Sequence, residues 1–172
     1  AANTTASNNT AVGYTALATN TADSNTAVGY TALNANTTAV YGTAIGVNAL
    51  ATNTTGGSNT AIGHKALYAN TTGATNVAVG RDALVDNTTA TANVAVGYGA
   101  ARNTTTGGSN TALGYLAMDV NSTGQYNTAI GFEALDANTT ANHNTAIGKG
   151  ALGANTTGAY NTVVGSNACD KN

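Results

Sequence analysis

Few residues in this chain could do chemistry, and each type suggests a different reaction. The sequence has 172 residues with two histidines, His64 and His143, one cysteine, Cys169, seven acids and five bases. A histidine pair could hold a metal, stacked carboxylates such as Asp119 and Asp136 could share acid and base roles, and Cys169 could be a nucleophile. The NTT triplets at Asn36, Asn53, Asn70, Asn87, Asn138 and Asn155 read as N-glycosylation sequons, and the GGS runs at Gly56 and Gly107 resemble part of a phosphate loop. Which of these groups meet depends on the elements that carry them.

Those elements are set by a repeat of the form NTAVGYxALxxNTTGxx. Its first position falls at Asn9, Asn25, Gly42, Asn59, Asn76, Asn93, Asn110, Asn127, Asn144 and Asn161, spaced by 17 residues except for a first step of 16. A short fixed period is the signature of stacked coils, in which each copy buries its apolar face only against its neighbours. Counting ranks 1 to 17 from that first position makes each rank a column along a rod. Rank 5 is glycine in all ten copies: Gly13, Gly29, Gly46, Gly63, Gly80, Gly97, Gly114, Gly131, Gly148 and Gly165. That invariance requires positive φ at a corner or close approach of another backbone.

Rank 4 is always aliphatic and rank 9 is Leu except for Ala101, Met118 and Cys169, so both are expected in the core, with Cys169 packed as a Leu replacement. Alternation sends rank 2, Thr or Val, to the same side. Rank 3 is Ala except for Val163, and rank 8 is always Ala. By alternation rank 3 points away from that core, where a restriction to Ala implies a second copy packed tightly against it, as in a trimer. Rank 6 accepts Tyr14, His64, Arg81, Phe132, Lys149 and Ser166 and is expected outside.

The polar columns are as regular. Asn9, Asn25, Asn59, Asn76, Asn93, Asn110, Asn127, Asn144 and Asn161 at rank 1, and Asn at rank 12 apart from Thr104, are expected to form amide ladders between coils about 4.8 Å apart. Threonines at ranks 13 and 14 suggest a second short strand. The fold class is therefore all-β, a parallel β-solenoid or β-roll of ten coils of about 17 residues, with two or three strands per coil. Residues 1–172 form a single array without a separate capping domain. The chain contains no proline, which suits uninterrupted ladders. The ends share one phase, Ala1, Ala2 and Asn3 at ranks 10 to 12 and Asp170, Lys171 and Asn172 likewise, which suggests an excerpt of a longer array or a subunit that stacks head to tail into a filament.

On this frame the chemistry disperses. His64 at rank 6 and His143 at rank 17 lie nearly five coils apart and share no metal. Arg102, Asp119 and Asp136 stack at rank 10 and Lys65 with Asp82 at rank 7, read as cross-coil charge ladders ahead of a paired-carboxylate site. GGS is a corner, since no helix or GK[ST] follows. No metal or other cofactor is expected, and no enzymatic activity, because no unlike groups converge. Charged residues are 7% and the net charge is −2 with no basic cluster, which argues against a nucleic-acid partner. No apolar run approaches 18 residues, so no membrane insertion is expected.

The unit NTAVGYTALATNTADS, and more fully NTAIGHKALYANTTGAT, resembles the NTAxGYxALxxNTTG repeats of tail-fibre-like proteins of phages and bacteria. Such proteins often end in an intramolecular-chaperone peptidase of the endosialidase type, which these residues do not include, so self-processing is not implied. More distantly, NTAVG is similar to the NSVAIG motif of trimeric autotransporter adhesin heads, which are left-handed parallel β-rolls. The resemblance implies a homotrimer of left-handed solenoids at a cell surface or on a virion, outside the cell. The expected role is a structural fibre protein, a shaft or head segment of a tail fibre or adhesin, or an extracellular filament subunit. Tyr14, Tyr30, Tyr98 and Tyr115 at rank 6 could touch a surface glycan or a neighbouring rod, or stand as a solvated ladder. The alternative is an ice-binding solenoid. Adjacent Thr at ranks 13 and 14 face opposite sides and give no flat TxT array, but ranks 2 and 4 would offer a TxV face if inside and outside were exchanged.

Overall fold

The computed structural model describes residues 6–171, so the phase expected of Ala1, Ala2, Asn3 and Asn172 lies outside the described residues. Each repeat contributes one three-residue strand: β1 (Thr10–Val12), β2 (Thr26–Val28), β3 (Thr43–Ile45), β4 (Thr60–Ile62), β5 (Val77–Val79), β6 (Val94–Val96), β7 (Thr111–Leu113), β8 (Thr128–Ile130), β9 (Thr145–Ile147) and β10 (Thr162–Val164). They form one parallel sheet in chain order, each rank opposite the same rank of the next coil, as in Thr60 with Val77 and Ile62 with Val79. Ten coils at about 4.8 Å make a β-solenoid roughly 48 Å long.

Glycine at rank 5 is required twice over. Gly97 has φ 136°, a region closed to residues with a side chain, and a Cβ there would lie 2.7 Å from the carbonyl carbon of Gly114 in the next coil. The chain then winds through a run of turns in which ranks 7 and 9 are left-handed, as at Lys65 (φ 56°) and Leu67 (φ 52°), and rank 17 is left-handed again, as at Ser58 (φ 58°). Such conformations cost about 1–2 kcal/mol each in non-glycine residues. Bonds between coils offset them: Lys65 N–H donates to Val47 O at 3.0 Å, Leu67 N–H to Ala83 O at 3.0 Å, and Ser58 N–H to Val40 O at 2.9 Å.

The core corrects the expected sidedness. Rank 3 faces in: Ala27, Ala44, Ala61, Ala78, Ala95, Ala112, Ala129 and Ala146 have no exposed surface. They meet Ala at rank 8 and the Leu column of rank 9, represented by Leu33, Leu50, Leu67, Leu84, Leu135 and Leu152. Rank 4, expected inside, is outside, with Ile62 38% exposed and Val12 57%. The physical reason is the thinness of the coil. The strand and the turn lie so close that only one long side chain per coil fits between them, and Leu takes that place. The restriction to Ala thus marks a narrow interior, and the second copy inferred from rank 3 loses that support. Cys169 is exposed, against expectation, because no further coil covers it among the described residues.

Ranks 13 and 14 form a bend instead of a second strand. The N–H groups of Thr54 and Thr55 converge on one carbonyl, Thr71 O, at 2.9 and 3.2 Å, which no strand ladder allows. The rank 13 hydroxyls also turn into the rod, Thr54 Oγ1 donating to Thr71 O at 3.0 Å. The short first repeat has lost a residue at this bend. Asn20 Nδ2 bonds Ala22 O two residues on, where later coils span three, as in Asn36 Nδ2 to Ala39 O.

Both amide ladders form. At rank 1 each N–H takes the Oδ1 of the Asn one coil back, as in Asn76 N–H to Asn59 Oδ1 at 2.9 Å, while Nδ2 crosses to the rank 15 carbonyl, Asn76 Nδ2 to Ala90 O at 2.9 Å. Gly42 interrupts this column. Its N–H donates to Asn25 Oδ1 at 2.7 Å, but it has no Oδ1 to offer Asn59 N–H, while Gly56 O is met by Asn53 Nδ2 and Asn59 Nδ2, both at 3.0 Å. Its φ is not in the left-handed region, and its Cβ would meet Asn25 Oδ1 at 3.0 Å and Leu33 at 3.3 Å, neighbours that Asn tolerates in other coils. Gly42→Asn is expected to stabilise the rod by about 1 kcal/mol through the regained acceptor for Asn59 N–H. A chemical denaturation series measures it, and a lowered midpoint would show that Leu33 cannot yield.

Candidate functional site

No pocket opens among the described residues, and no three His, Cys, Asp or Glu side chains gather there. What remains is surface. The outward face of the sheet alternates rank 2, Thr except for Val77 and Val94, with Val, Ile or Leu at rank 4 over ten strands. It is uncharged, because the ionisable groups other than Asp23 lie at ranks 6 to 11 or on the histidine of rank 17. Ile45, Ile62 and Ile147 are 39%, 38% and 37% exposed and sit in register with the partly exposed Val28, Val79, Val96, Leu113 and Ile130. The result is a continuous aliphatic stripe beside a row of threonine hydroxyls.

Rank 6 borders this face and is exposed, as expected, with Tyr14 at 70% and Tyr30, Tyr98 and Tyr115 less so. Its rings stack from coil to coil: Tyr14 on Tyr30 with centroids 5.6 Å apart, Tyr98 on Tyr115 at 5.2 Å, and Tyr115 on Phe132 at 5.0 Å. Arg81 lies over Tyr98 and Lys149 over Phe132 at the two ends of the second stack. The ring faces of that stack are therefore occupied within the rod, leaving edges and phenol hydroxyls outward. A second aromatic column, Tyr126, His143 and Tyr160 at rank 17, stacks at 4.9 Å per step. Sequence analysis read His143 only as too far from His64 to share a metal and missed this column, although aromatic residues spaced by 17 were the available signal.

The charged groups pair only partly as expected. Arg102 bridges to the next coil with a bidentate contact to Asp119, Nε to Oδ1 at 2.8 Å and Nη2 to Oδ2 at 2.9 Å. This bond raises the Arg102 pKa further. It engages both carboxylate oxygens of Asp119. Burial pushes the Asp136 carboxyl above its ordinary range, with Glu133 and Asp119 adding to the effect and backbone N–H groups opposing it. Lys65 does not take Asp82. Arg81 reaches that carboxylate at 3.1 Å and His64 lies 3.8 Å away, while Lys65 covers the Tyr68 ring.

Six of the NTT asparagines have another use. Asn36, Asn53, Asn70, Asn87, Asn138 and Asn155 are at most 3% exposed, and their Nδ2 groups donate inside the ladder, as Asn70 Nδ2 does to Asn53 Oδ1 at 2.7 Å. An amide in this position cannot carry a glycan in the folded rod. No protein-family model matches the chain, and no curated protein or solved structure matches it either. No helix of the described residues is long and apolar enough to cross a membrane.

Proposed function

We propose that the chain is a structural rod, a shaft or head segment of a fibre working outside the cell, whose copies associate through the outward Thr and Val/Ile face. The observation that carries this reading is the aliphatic stripe. All ten rank 4 residues are Val, Ile or Leu although they point outward, and contiguous exposed apolar surface of this kind belongs to protein–protein contacts. The substitutions along the face agree: rank 2 becomes Val at Val77 and Val94, keeping the methyls and losing the hydroxyl, as a dry contact permits. A closed homotrimer about the face is the preferred form, with a cell envelope or virion as its setting. A glycan partner has weaker support, since the stacked rings offer sugars little open face. No catalytic role is proposed.

Sedimentation tests this reading. The wild-type chain is expected to run as an oligomer, and the pair Ile62→Lys with Val96→Lys, both on the outward face, as a folded monomer with unchanged circular dichroism. A monomeric wild type at high concentration would overturn it.

The same face gives the ice-binding alternative one specific support. The rank 2 hydroxyls, such as Thr60 and Thr128, point outward on a rigid, uncharged, regular sheet. A monomeric wild type showing thermal hysteresis in cold solution would transfer the face to ice.

A further inference from the structure

Thr104 stands at rank 12 where the other coils have Asn, and the loss of that amide leaves buried polar groups without their usual partners. In an intact coil the amide makes three kinds of bond. Asn70 Nδ2 donates to Asn53 Oδ1 at 2.7 Å and to Gly73 O at 2.9 Å, and Asn70 Oδ1 accepts from Asn87 Nδ2 at 2.7 Å. Around Thr104 the corresponding partners are Asn87 Oδ1, Gly107 O and Asn121 Nδ2. Asn87 Oδ1 is buried with no hydrogen-bond partner, and so is the Thr104 hydroxyl. Gly107 O keeps the amides of Asn93 and Asn110, at 2.9 and 3.3 Å, but has lost its rank 12 donor. Asn121 Nδ2 retains only Gly124 O, at 3.0 Å. Thr104 and Asn121 have no exposed surface.

We propose that this position binds one internal water molecule, which takes over the bonds of the missing amide. The water takes the place of the missing Nδ2: it donates to Asn87 Oδ1 and Gly107 O and accepts from the Thr104 hydroxyl, three partners within its own valence. Threonine is shorter than asparagine by the carboxamide end, so the space is vacated where the partners converge. In an intact coil one Nδ2 reaches both the Oδ1 one coil back and the rank 15 carbonyl, as Asn70 Nδ2 does at 2.7 and 2.9 Å, so one water in the equivalent place reaches both with bonds of ordinary length. Buried waters are held by two to four such polar partners, and a buried polar group without one is rare.

Three full-length chains test the site: wild type, Thr104→Asn and Thr104→Val. In wild type, nuclear Overhauser contacts from a long-lived water to the amides of Thr104 and Asn87 are expected. They should vanish in Thr104→Asn, whose side chain fills the place and raises the unfolding midpoint. Thr104→Val removes one of the water's partners and should lower the midpoint. Absence of a long-lived water signal in wild type would overturn the proposal. So would a raised midpoint in Thr104→Val, the result expected if the hydroxyl were simply orphaned and its replacement by a methyl were a relief.

Discussion

Gly97→Ala should cost the rod on the order of 4 kcal/mol or more, and the damage should centre on coils six and seven. Two costs add. The φ of 136° lies where alanine is strained by about 1–3 kcal/mol, and the new methyl would press on the backbone carbonyl of Gly114, which cannot move away as a flexible side chain would. That carbonyl directly follows β7, so displacing it strains the neighbouring bonds Gly97 N–H to Val79 O and Gly114 N–H to Val96 O, at 2.8 and 2.9 Å. Hydrogen exchange is the suitable measurement, because a repeat array opens locally and a single global midpoint averages over it. The expected pattern is lost protection around β6 and β7 with β1 to β3 little changed. A uniform loss below about 0.5 kcal/mol would show that the corner tolerates a side chain after all.

Asn70→Ala is the second large effect, about 3–5 kcal/mol, and it comes from the partners left behind. The amide is fully buried. Its removal takes the donor from Asn53 Oδ1 and the acceptor from Asn87 Nδ2, which then keeps only Ala90 O at 3.3 Å. It also removes one of the two donors to Gly73 O, leaving Asn59 Nδ2. Replacing the exposed hydroxyl of the neighbouring Thr72 by Val, for comparison, should be nearly neutral. Denaturant midpoints of the two variants decide the matter. Equal, small effects would mean that the amides are bystanders and that the backbone ladders alone hold the coils in register.

How much of this was legible in the sequence depends on which physical demand a column reports. Rank 5 was legible because only glycine meets a backbone demand; of the two reasons offered, positive φ at a corner is found, and the close approach is made by the next coil of the same chain. Ranks 1 and 12 were legible because an amide column has one efficient use. Sidedness was not. An aliphatic column and an Ala column both signal contact, and alternation along a three-residue strand fixes which ranks are opposite without saying which side is interior. The deciding quantity is the thickness of the coil, set by the left-handed turns at ranks 7 and 9, and those turns are filled by Lys65, Asp82, Leu67 and Leu84, residues that seldom mark such conformations. The pairing of Asp82 with Arg81 was hidden for a related reason: two neighbours along the chain can point the same way only because the turn between them is left-handed.

Those same left-handed leucines carry a consequence for how the rod comes into being. A lone repeat would have to hold three unfavourable backbone conformations, on the order of 3–6 kcal/mol, with no adjoining coil to accept its N–H groups. Ordering therefore has a costly nucleus of at least two stacked coils, after which every added repeat zips onto a ready template. Short fragments of the array should stay coil-like while long ones are rigid, so persistence grows with copy number. Evolution can lengthen such an object by duplication without redesigning it.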